Sequence, residues 1–466
     1  MSMAGVDAPS LREIVAKEVT PRSFYDRGTA LRFTDLARGT SLGGHPRELA
    51  GRSVLLATES QLTSALALIE LEGVARRIVI LPPDADPAHL PAIIAIADID
   101  AVLTDEGAPT HAAFDRLTRV VCRAVIEPLV DDLPPRSHTD WIMMTSGTTG
   151  VPKMVIHDLA TLTTALRVPS PADGADVWGT FYDIRRYGGL QIYLRAVCGR
   201  ASFVLSSAGE PVSDHLARLG AHGVTHLSGT PSQWRRALMM MPANEMIAPG
   251  YVRLSGEIAD QAVLDSLRAA FPSATIGHAY ASTEAGVVFD VNDGLAGFPT
   301  EYIGTVRNGV AVKILDGTLR IRSSGAAKGY VGGGPLFDAA GFVDSGDIIE
   351  RHGERFYFAG RKGGVINIGG LKVHPEEIEA VINRHPCVRM SLVRGRQNPV
   401  TGSIVVADVV LKGEGQAPDK SPQQIALKDD ILKLCRETLP RHKVPAAISF
   451  VPALKVAATG KLVRRQ

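Results

Sequence analysis

The stretch Met143–Asp158, read as MMTSGTTGVPKMVIHD, crowds glycine and hydroxyl residues between two apolar segments. An ordinary surface turn needs only one or two residues of this kind. In a turn rich in Gly and Thr, successive backbone N–H groups surround phosphate oxygens, and the lysine at the far end, Lys153, adds a mobile cation. Because the spacing fails the G-x-x-x-x-G-K-[ST] pattern of a Walker loop, we predict a phosphate-binding loop of another type, with a plain surface loop as the alternative. The predicted cradle comprises Thr145, Ser146, Gly147, Thr148, Thr149, Gly150 and Lys153.

The charge of the chain is balanced overall but unevenly distributed. The formal net charge of the 466 residues is +1, which gives no bias toward nucleic acid or membranes. From Gly363 to the end, 16 Lys and Arg stand against 9 Asp and Glu, a net charge of +7. This basic part suits a phosphate-bearing or acidic partner, and a solvated charged surface is an equal alternative.

Cysteine usage and hydropathy indicate the compartment. The four cysteines are far apart and form no CxxC pair, which argues against a zinc site or a disulfide framework and fits a reducing cytoplasm. The first residues lack the apolar core of a signal peptide, and no run of 18 apolar residues occurs, so we expect no membrane span. The sequence therefore predicts a cytoplasmic protein, and it leaves a homodimer open.

Alternating strand and helix patterns fill the first two thirds of the chain. The apolar segment SVLLAT (53–58) is followed by the helical pattern QLTSALALIELEG (61–73) and by a second strand, RRIVILP (76–82). The region 188–280 repeats this alternation, which predicts an α/β fold with two stacked α/β subdomains and parallel sheets. After about residue 300, short strands with tight turns, such as AVKILDGTLRIRS (311–323), predict a small antiparallel β-barrel.

A second domain is expected at the C-terminal end. The glycine-rich, polar stretch GRKGGVINIGG (360–370) is a candidate hinge. Beyond it, two helical patterns flank an apolar strand, which predicts a small α+β unit. We therefore expect a large N-terminal domain over 1–361 and a small, mobile C-terminal domain over 362–466, with the hinge near Lys362.

Five further segments accompany Met143–Asp158, and together the six segments resemble those of the acyl-adenylate-forming superfamily in order and spacing. This superfamily includes acyl-CoA and aryl-CoA ligases, peptide-synthetase adenylation domains and luciferases. The resemblance covers essentially the whole chain, and it implies that the protein makes an acyl-AMP from a carboxylic acid and ATP. The segments are LSGEIA (254–259), YASTEAG (280–286), DSGDIIE (344–350), FAGRKGGVINIGGLKVHPEEIE (358–379) and VAATGKLVRR (456–465).

The resemblance implies roles for residues at matching positions. Tyr280 would lie along the adenine, Thr283 would contact phosphate and Glu284 would hold Mg²⁺. Asp347 would bind both ribose hydroxyls, and Lys461 would reach the reacting carboxylate and the α-phosphate. Lys461, Thr283 and Glu284 are thus the candidate catalytic residues. Taken alone, Glu284 and Asp347 would be read as solvated or turn carboxylates, and Lys461 as part of a basic tail.

The remaining matches concern the adenine and the hinge. Gly256 and Glu257 match the segment on the adenine side. Arg361 matches an arginine that contacts ribose or phosphate, and Lys362 matches the pivot, although both could be exposed charges on a linker. In the superfamily the C-terminal domain rotates between the two steps of the reaction. The rotation would withdraw the catalytic lysine and bring Gly369–Lys372 to the thiol channel.

The acyl-binding segment FYDIRRYGGLQIYLRA is unlike those of typical relatives. Tyr187 and Gly188 resemble aryl-type members, which makes them candidate pocket residues. Asp183 is a candidate for binding a substrate amine, but Arg185 is close in sequence and an internal salt bridge is the favoured alternative. Trp234 lines the acyl pocket or packs a helix, and the sequence does not separate these two roles.

The required chemistry agrees with the resemblance. A carboxylate is a poor electrophile because it lacks a good leaving group. When its oxygen attacks the α-phosphorus of ATP, the product is a mixed anhydride in which AMP is the leaving group. Because three anionic groups must meet, catalysis is mostly charge neutralisation and alignment, and no side-chain nucleophile is needed. We therefore expect an AMP-forming ligase that uses ATP, Mg²⁺ and coenzyme A. The alternatives are a ligase that loads the phosphopantetheine of an acidic carrier protein and a nucleotide-binding module without catalysis.

Overall fold

The computed structural model describes most of the chain. Of the predicted site residues, Ser146–Thr149 and Gly369 lie outside the described part. The described residues are 9–17, 21–44, 46–130, 132–145, 150–166, 176–207, 209–241, 247–368, 371–398, 402–412, 421–457 and 460–463.

Strands and helices alternate from the start of the chain. The elements of the first third are α1 (Leu11–Ala16), β1 (Ser23–Asp26), β2 (Thr29–Arg32), β3 (Gly39–Thr40), β4 (Ser53–Leu56), α2 (Gln61–Leu71), β5 (Arg77–Ile80), α3 (Leu90–Ile96), β6 (Ala101–Asp105), β7 (Thr118–Cys122) and β8 (Glu127–Pro128). Those of the middle third are β9 (Asp140–Thr145), β10 (Lys153–His157), α4 (Leu159–Thr163), β11 (Val177–Thr180), α5 (Tyr187–Cys198), β12 (Ser202–Val204), α6 (Val212–Ala221), β13 (His226–Gly229), α7 (Pro231–Met240), β14 (Tyr251–Ser255), α8 (Gln261–Ala270), β15 (Thr275–Ser282) and β16 (Gly286–Val291).

Short strands and two longer helices make up the last third. Its elements are β17 (Phe298–Pro299), β18 (Val306–Arg307), β19 (Val310–Leu315), β20 (Thr318–Ser323), β21 (Gly329–Tyr330), β22 (Val343–His352), β23 (Arg355–Arg361), β24 (Ile366–Ile368), β25 (Leu371–Val373), α9 (Pro375–Ile382), β26 (Val388–Asn398), β27 (Gly402–Leu411), α10 (Pro422–Thr438) and β28 (Ala447–Phe450).

Two large sheets form the two α/β subdomains. One has the strand order β21-β10-β9-β5-β4-β6-β7 and the other β16-β15-β14-β13-β11-β12-β1-β2. Their central strands are parallel, as expected from the alternation of strands and helices. The expectation of purely parallel sheets was wrong at the edges, where β9, β10 and β21 and the pair β15 and β16 run antiparallel. The pairs β9–β10 and β15–β16 are hairpins, which need only a short connection, whereas β21 pairs with β10 from a distant part of the chain.

The two subdomains share one hydrophobic core. Every residue of α2 is buried, as expected for a helix that is apolar all round and covered on both sides. Residues of α2 and α5 pack in the same cluster as residues of both large sheets, for example Val54 of β4 and Phe203 of β12. The stacking predicted from the sequence is thus confirmed, and it sets α5 at the junction of the subdomains.

Two smaller units follow. A curled six-stranded antiparallel sheet, β17-β23-β22-β20-β19-β18, occupies the place of the predicted barrel. The C-terminal residues form the three-stranded sheet β26-β27-β28 with α9 and α10, and they have a hydrophobic core of their own that starts at Ile366. The α/β fold class with a large N-terminal part and a small C-terminal part is therefore confirmed. Among the described residues, no helix combines the length and the apolar character that a membrane crossing requires.

Candidate active site

The predicted phosphate loop connects β9 to β10. Thr145 ends β9 and lies opposite Lys153, the first residue of β10, in antiparallel register. Gly150 has a φ of +106°, a conformation that glycine adopts without steric cost. The Lys153 ammonium lies 5.3 Å from the centre of the Tyr330 ring on β21. The described ends of the loop are therefore close together, with the lysine on the same side.

A buried histidine ties this hairpin to the next motif. His157, the last residue of β10, is fully buried, and its Nε2 lies 2.7 Å from the carbonyl oxygen of Thr283. Since a carbonyl only accepts, Nε2 carries the proton and Nδ1, 3.1 Å from Thr161 Oγ1, does not. Burial lowers the pKa of His157 to about 4, so the ring is neutral near pH 7. His157 was not among the predicted site residues, although a histidine in an apolar strand is a usable signal.

Thr283 and Glu284 follow β15 and face the same region as the hairpin. The main-chain oxygen of Glu284 accepts a hydrogen bond of 2.9 Å from Ala327 N. Burial raises the pKa of Tyr330, and the negative charge of Glu284 adds to this effect, so the carboxylate lies near the Tyr330 ring that contacts Lys153. Glu284 also acts on the pKa of Arg361. The charge of the Glu284 carboxylate thus acts on both Tyr330 and Arg361.

Tyr280, Asp347 and Arg361 form one hydrogen-bonded group. The Tyr280 hydroxyl donates to Asp347 Oδ2, and Arg361 Nε donates to Asp347 Oδ1 over 2.8 Å. The antiparallel register of β22 and β23 sets Asp347 directly opposite Arg361. Burial and the neighbouring Asp347 carboxylate hold the pKa of Tyr280 well above its usual value. The Tyr280 ring stacks on Phe358, with 4.7 Å between ring centres.

Lys461 reaches this group from the C-terminal domain. A Cβ atom on Gly256, which has a φ of +87°, would lie 3.3 Å from Lys461 Cε and 4.0 Å from Nζ. Burial lowers the pKa of Lys461, Glu257 opposes this effect and Arg361 adds to it. Part of the Lys461 side chain is exposed to solvent. The residues that the sequence assigned to adenine, ribose and catalysis therefore surround one cleft.

The terminal segment is held in the cleft by a latch, which we define as Thr230, Ser232, Glu257, Gly460 and Leu462. Glu257 Oε1 accepts from Leu462 N and Oε2 from Ser232 N, each over 2.9 Å. Thr230 Oγ1 caps α7 and donates to the carbonyl oxygen of Gly460 over 2.6 Å. Both carboxylate oxygens of Glu257 thus accept a hydrogen bond within the latch, and its place beside the adenine stays a prediction.

The hinge residues lie on the C-terminal side of β23. Lys362 begins a short 3-10 turn, Lys362–Gly364, and its ammonium is 3.7 Å from Asp344 Oδ2. Lys372 lies on β25, exposed and in register with Asn367. The roles of Lys362 as pivot and of Lys372 at a thiol channel stay predictions.

The acyl-side candidates differ in their surroundings. Asp183 makes a buried bidentate ion pair with Arg185, with distances of 2.6 and 2.9 Å, so the structure contains the salt bridge that the sequence left as the alternative to amine binding. Trp234 is fully buried and packs edge-on against Phe181 in the core of the second subdomain. Of the two roles left open by the sequence, Trp234 therefore has the packing role.

Tyr187 and Gly188 begin α5 at the junction of the subdomains. The Tyr187 ring is buried and lies 5.6 Å from the His157 ring. A Cβ on Gly188 would lie 3.9 Å from the Tyr182 ring, whose hydroxyl donates to Ser255 O over 2.9 Å. Since Ser255 precedes Gly256, Tyr182 connects the start of α5 with the segment that lies against Lys461.

A lysine-bearing C-terminal segment that meets Gly256 of a large α/β domain, near Asp347 and Arg361, is the arrangement expected of adenylate-forming enzymes. The chain belongs to the AMP-binding enzyme family, since the model of that family matches residues 55–331 and the model of the AMP-binding enzyme C-terminal domain matches residues 377–461. The predicted superfamily is thereby confirmed.

Relatives and solved structures agree with this membership. The chain is 27% identical to the 2-succinylbenzoate–CoA ligase of Salmonella typhimurium over 354 residues, which cover 74% of this chain and 73% of that protein. It is 28% identical to 4-coumarate–CoA ligase 2 of Oryza sativa over 223 residues, or 43% of this chain and 38% of that protein. The fold matches o-succinylbenzoate CoA synthetase of Bacillus subtilis bound to its acyl-adenylate (TM-score 0.74, 20% identity, 98% and 97% of the two chains). It also matches anthranilate CoA ligase AuaEII bound to anthranoyl-AMP (TM-score 0.78, 18% identity, 97% and 95%).

Proposed function

We propose that the protein activates a carboxylic acid with ATP and transfers the acyl group to the thiol of coenzyme A. In the first step an acid oxygen bonds to the α-phosphorus of ATP and pyrophosphate leaves. In the second step the thiol loses its proton, its sulfur bonds to the acyl carbon and AMP leaves. One observation carries the proposal: Lys461 from the end of the chain stands against Gly256, within electrostatic reach of Asp347 and Arg361.

The nucleotide roles follow from charge and shape. Asp347 binds the ribose hydroxyls, because a carboxylate accepts two hydrogen bonds from a diol. The Tyr280 ring gives the adenine a flat surface. Lys461 and Arg361 neutralise the charge that develops on the α-phosphate, and Lys153 acts at the phosphate loop.

Glu284 is the residue that would hold a magnesium ion. No group of three His, Cys, Asp or Glu side chains suited to a metal occurs in the described part of the chain. This fits Mg²⁺, which is commonly bound through one or two carboxylates together with the phosphates of a nucleotide. When bound there, the ion supplies positive charge to the phosphates, next to Lys153 and Tyr330.

We propose that the substrate is an aromatic carboxylic acid and that coenzyme A accepts the acyl group. Relatives in both comparisons are named for 2-succinylbenzoate, 4-coumarate and anthranilate, and Tyr182 and Tyr187 give the acyl side flat apolar walls. The net charge of +7 from Gly363 onward suits the phosphates of coenzyme A. Rotation of the C-terminal domain about Lys362 separates the two steps, because the latch must open before Lys461 leaves the cleft.

A pyrophosphate-release screen tests the proposal. The purified protein is given ATP and Mg²⁺ with aryl acids, short and long acyl acids and amino acids, one at a time. We expect release with aryl acids and a thioester when coenzyme A is added. A thioester on an added carrier protein but not on coenzyme A would move the acceptor to the carrier. If no acid of the panel causes pyrophosphate release, the remaining hypothesis is a nucleotide-binding module without catalysis.

A further inference from the structure

A hydrogen-bonded contact between the two domains involves none of the predicted site residues. The amide Nδ2 of Asn383, which directly follows α9, lies 3.1 Å from Oδ2 of Asp260, which directly precedes α8. The same carboxylate oxygen accepts from Arg235 Nη2 on α7 over 2.6 Å. The buried Ser391 on β26 completes the group. We call these four residues, Arg235, Asp260, Asn383 and Ser391, the clasp.

Each domain orients its own half of the clasp. A carboxylate only accepts hydrogen bonds, so the Asn383 amide turns its NH2 group toward Asp260 and its oxygen away from it. That oxygen accepts from Ser391 Oγ over 2.9 Å, within the C-terminal domain. In the large domain, Asp260 Oδ1 accepts from Val263 N over 3.0 Å and so caps α8. The donor and the acceptor are therefore both fixed before the domains meet.

The clasp and the latch hold different parts of the C-terminal domain. The latch binds only the terminal segment that carries Lys461. Asn383 and Ser391 belong instead to the region of α9 and β26, whose apolar residues form the core of this domain. Asp260 follows the latch residue Glu257 by three positions, so one loop of the large domain contacts both parts. The clasp thus fixes the body of the domain while the latch fixes its end.

Rotation of the C-terminal domain would break the clasp at its neutral member. Arg235 and Asp260 both belong to the large domain, and their side chains are only 11% and 12% exposed. Their ion pair is therefore kept when Asn383 moves away. Loss of one partner from a buried ion pair leaves an uncompensated charge, whereas a released amide finds new hydrogen bonds with water. The clasp thus favours the docked arrangement by a modest amount, which suits a contact that must form and break in each cycle.

Building on the proposed function, we propose that Asp260 and Asn383 are positioning residues for the adenylation step. Their hydrogen bond favours the arrangement in which Lys461 reaches the acid and the α-phosphate. Its loss favours the arrangement for transfer to the thiol. The clasp should therefore act on the ratio of the two half-reactions and leave the choice of acid unchanged.

The test measures both half-reactions in single turnovers. Adenylation is followed by pyrophosphate release with ATP, Mg²⁺ and an acid that the wild type accepts, and transfer is followed by reaction of a preformed acyl-AMP with coenzyme A. Asn383→Leu removes the NH2 group at similar side-chain size. We expect the ratio of adenylation to transfer to fall about tenfold, because a hydrogen bond to a charged group is lost. A merely structural role would lower both rates alike and leave the ratio unchanged.

Exchange of the two side chains tests whether they act by direct contact. Asn383→Asp sets two carboxylates against each other, and Asp260→Asn takes the carboxylate from Arg235, so each change should lower the ratio about tenfold. In the double variant Asp260→Asn/Asn383→Asp, donor and acceptor trade places and the cap of α8 is kept, since Asn caps helices as well as Asp does. We expect the ratio of the double variant to return to within about threefold of the wild type.

Exposed Arg384 gives the matched control. Arg384→Gln changes the charge beside Asn383 by the same amount as Asn383→Asp, and it should leave the ratio unchanged. An unchanged ratio in Asn383→Leu, or a double variant no better than the single ones, would overturn the proposal and leave the proposed function standing. No pyrophosphate release from the wild type with any acid would overturn both.

Discussion

The nucleotide side of the cleft and its acyl side obtain their charged groups in different ways. On the nucleotide side, Asp347 and Arg361 face each other across a β-hairpin, and Tyr280 completes their hydrogen bonds. On the acyl side, Arg253 of β14 pairs with Asp290 of β16, and these two residues are farther apart in the chain. The ion pair of the nucleotide side thus forms within one hairpin, whereas that of the acyl side depends on packing between separate elements. We therefore expect the adenylation step to depend on residues of short motifs, and the selectivity for the acid to depend on tertiary packing.

Substitution of Lys461 should have the largest effect, and it should lower the rate of adenylation equally for every acid. We expect Lys461→Ala to lower acid-dependent pyrophosphate release about a thousandfold, because a positive charge at the developing phosphate charge is lost. Reaction of a preformed acyl-AMP with coenzyme A should suffer far less, since in the proposed mechanism that step follows withdrawal of the lysine. Stopped-flow or quench measurements of each half-reaction check this. Exposed Lys455, on the same segment, gives the control Lys455→Ala. Equal loss of both half-reactions would contradict the role.

The latch should show a smaller effect that is also independent of the acid. Glu257→Gln leaves one acceptor oxygen for two N–H groups, of Ser232 and Leu462. An unpaired N–H at such a site costs about 1–3 kcal/mol, so we expect adenylation to fall about tenfold. The measurement is the ratio of adenylation to thioester formation, with exposed Asp265→Asn as the control. An unchanged ratio would show that the latch does not hold the adenylating arrangement.

His157 contacts Thr283 on the nucleotide side and lies near Tyr187 on the acyl side. Its protonation should change the free energy of unfolding. Its pKa of about 4 in the folded protein lies below the ordinary 6.5, so the unfolded chain binds more protons between these values. The stabilisation is therefore complete above pH 6.5 and lost as the pH falls to about 4, a change of about 3 kcal/mol. Urea midpoints from pH 7 to pH 4 should fall less steeply for His157→Gln than for the wild type. The exposed His352→Gln should follow the wild type, and three parallel curves would contradict the assignment.

The sequence was sufficient where structure is local. Alternation of strands and helices predicted the stacked α/β subdomains, because a buried strand and a covering helix each leave a periodic pattern in the residues themselves. Short motifs located Tyr280, Asp347, Arg361 and Lys461, which the fold brings to one cleft.

It was insufficient where contacts join distant segments. The hydrogen bonds of Glu257 to Ser232 and Leu462 could not be predicted, because the sequence does not reveal that these segments meet. The antiparallel edges of the large sheets were missed because strand direction depends on the connection rather than on periodicity. Arg253 interrupts an apolar pattern, and this is a signal that a buried charge exists. The sequence does not show that its partner is Asp290.

The central claim is that the acid becomes reactive as its adenylate, and an isotope measurement tests it most directly. An acid that supports pyrophosphate release is labelled with ¹⁸O in its carboxylate and converted with ATP and coenzyme A, and the AMP is examined by mass spectrometry. Because an acid oxygen bonds to the α-phosphorus and stays there when the thiol displaces AMP, we expect one ¹⁸O atom in each AMP. Label in pyrophosphate or phosphate, or AMP without label, would contradict the account.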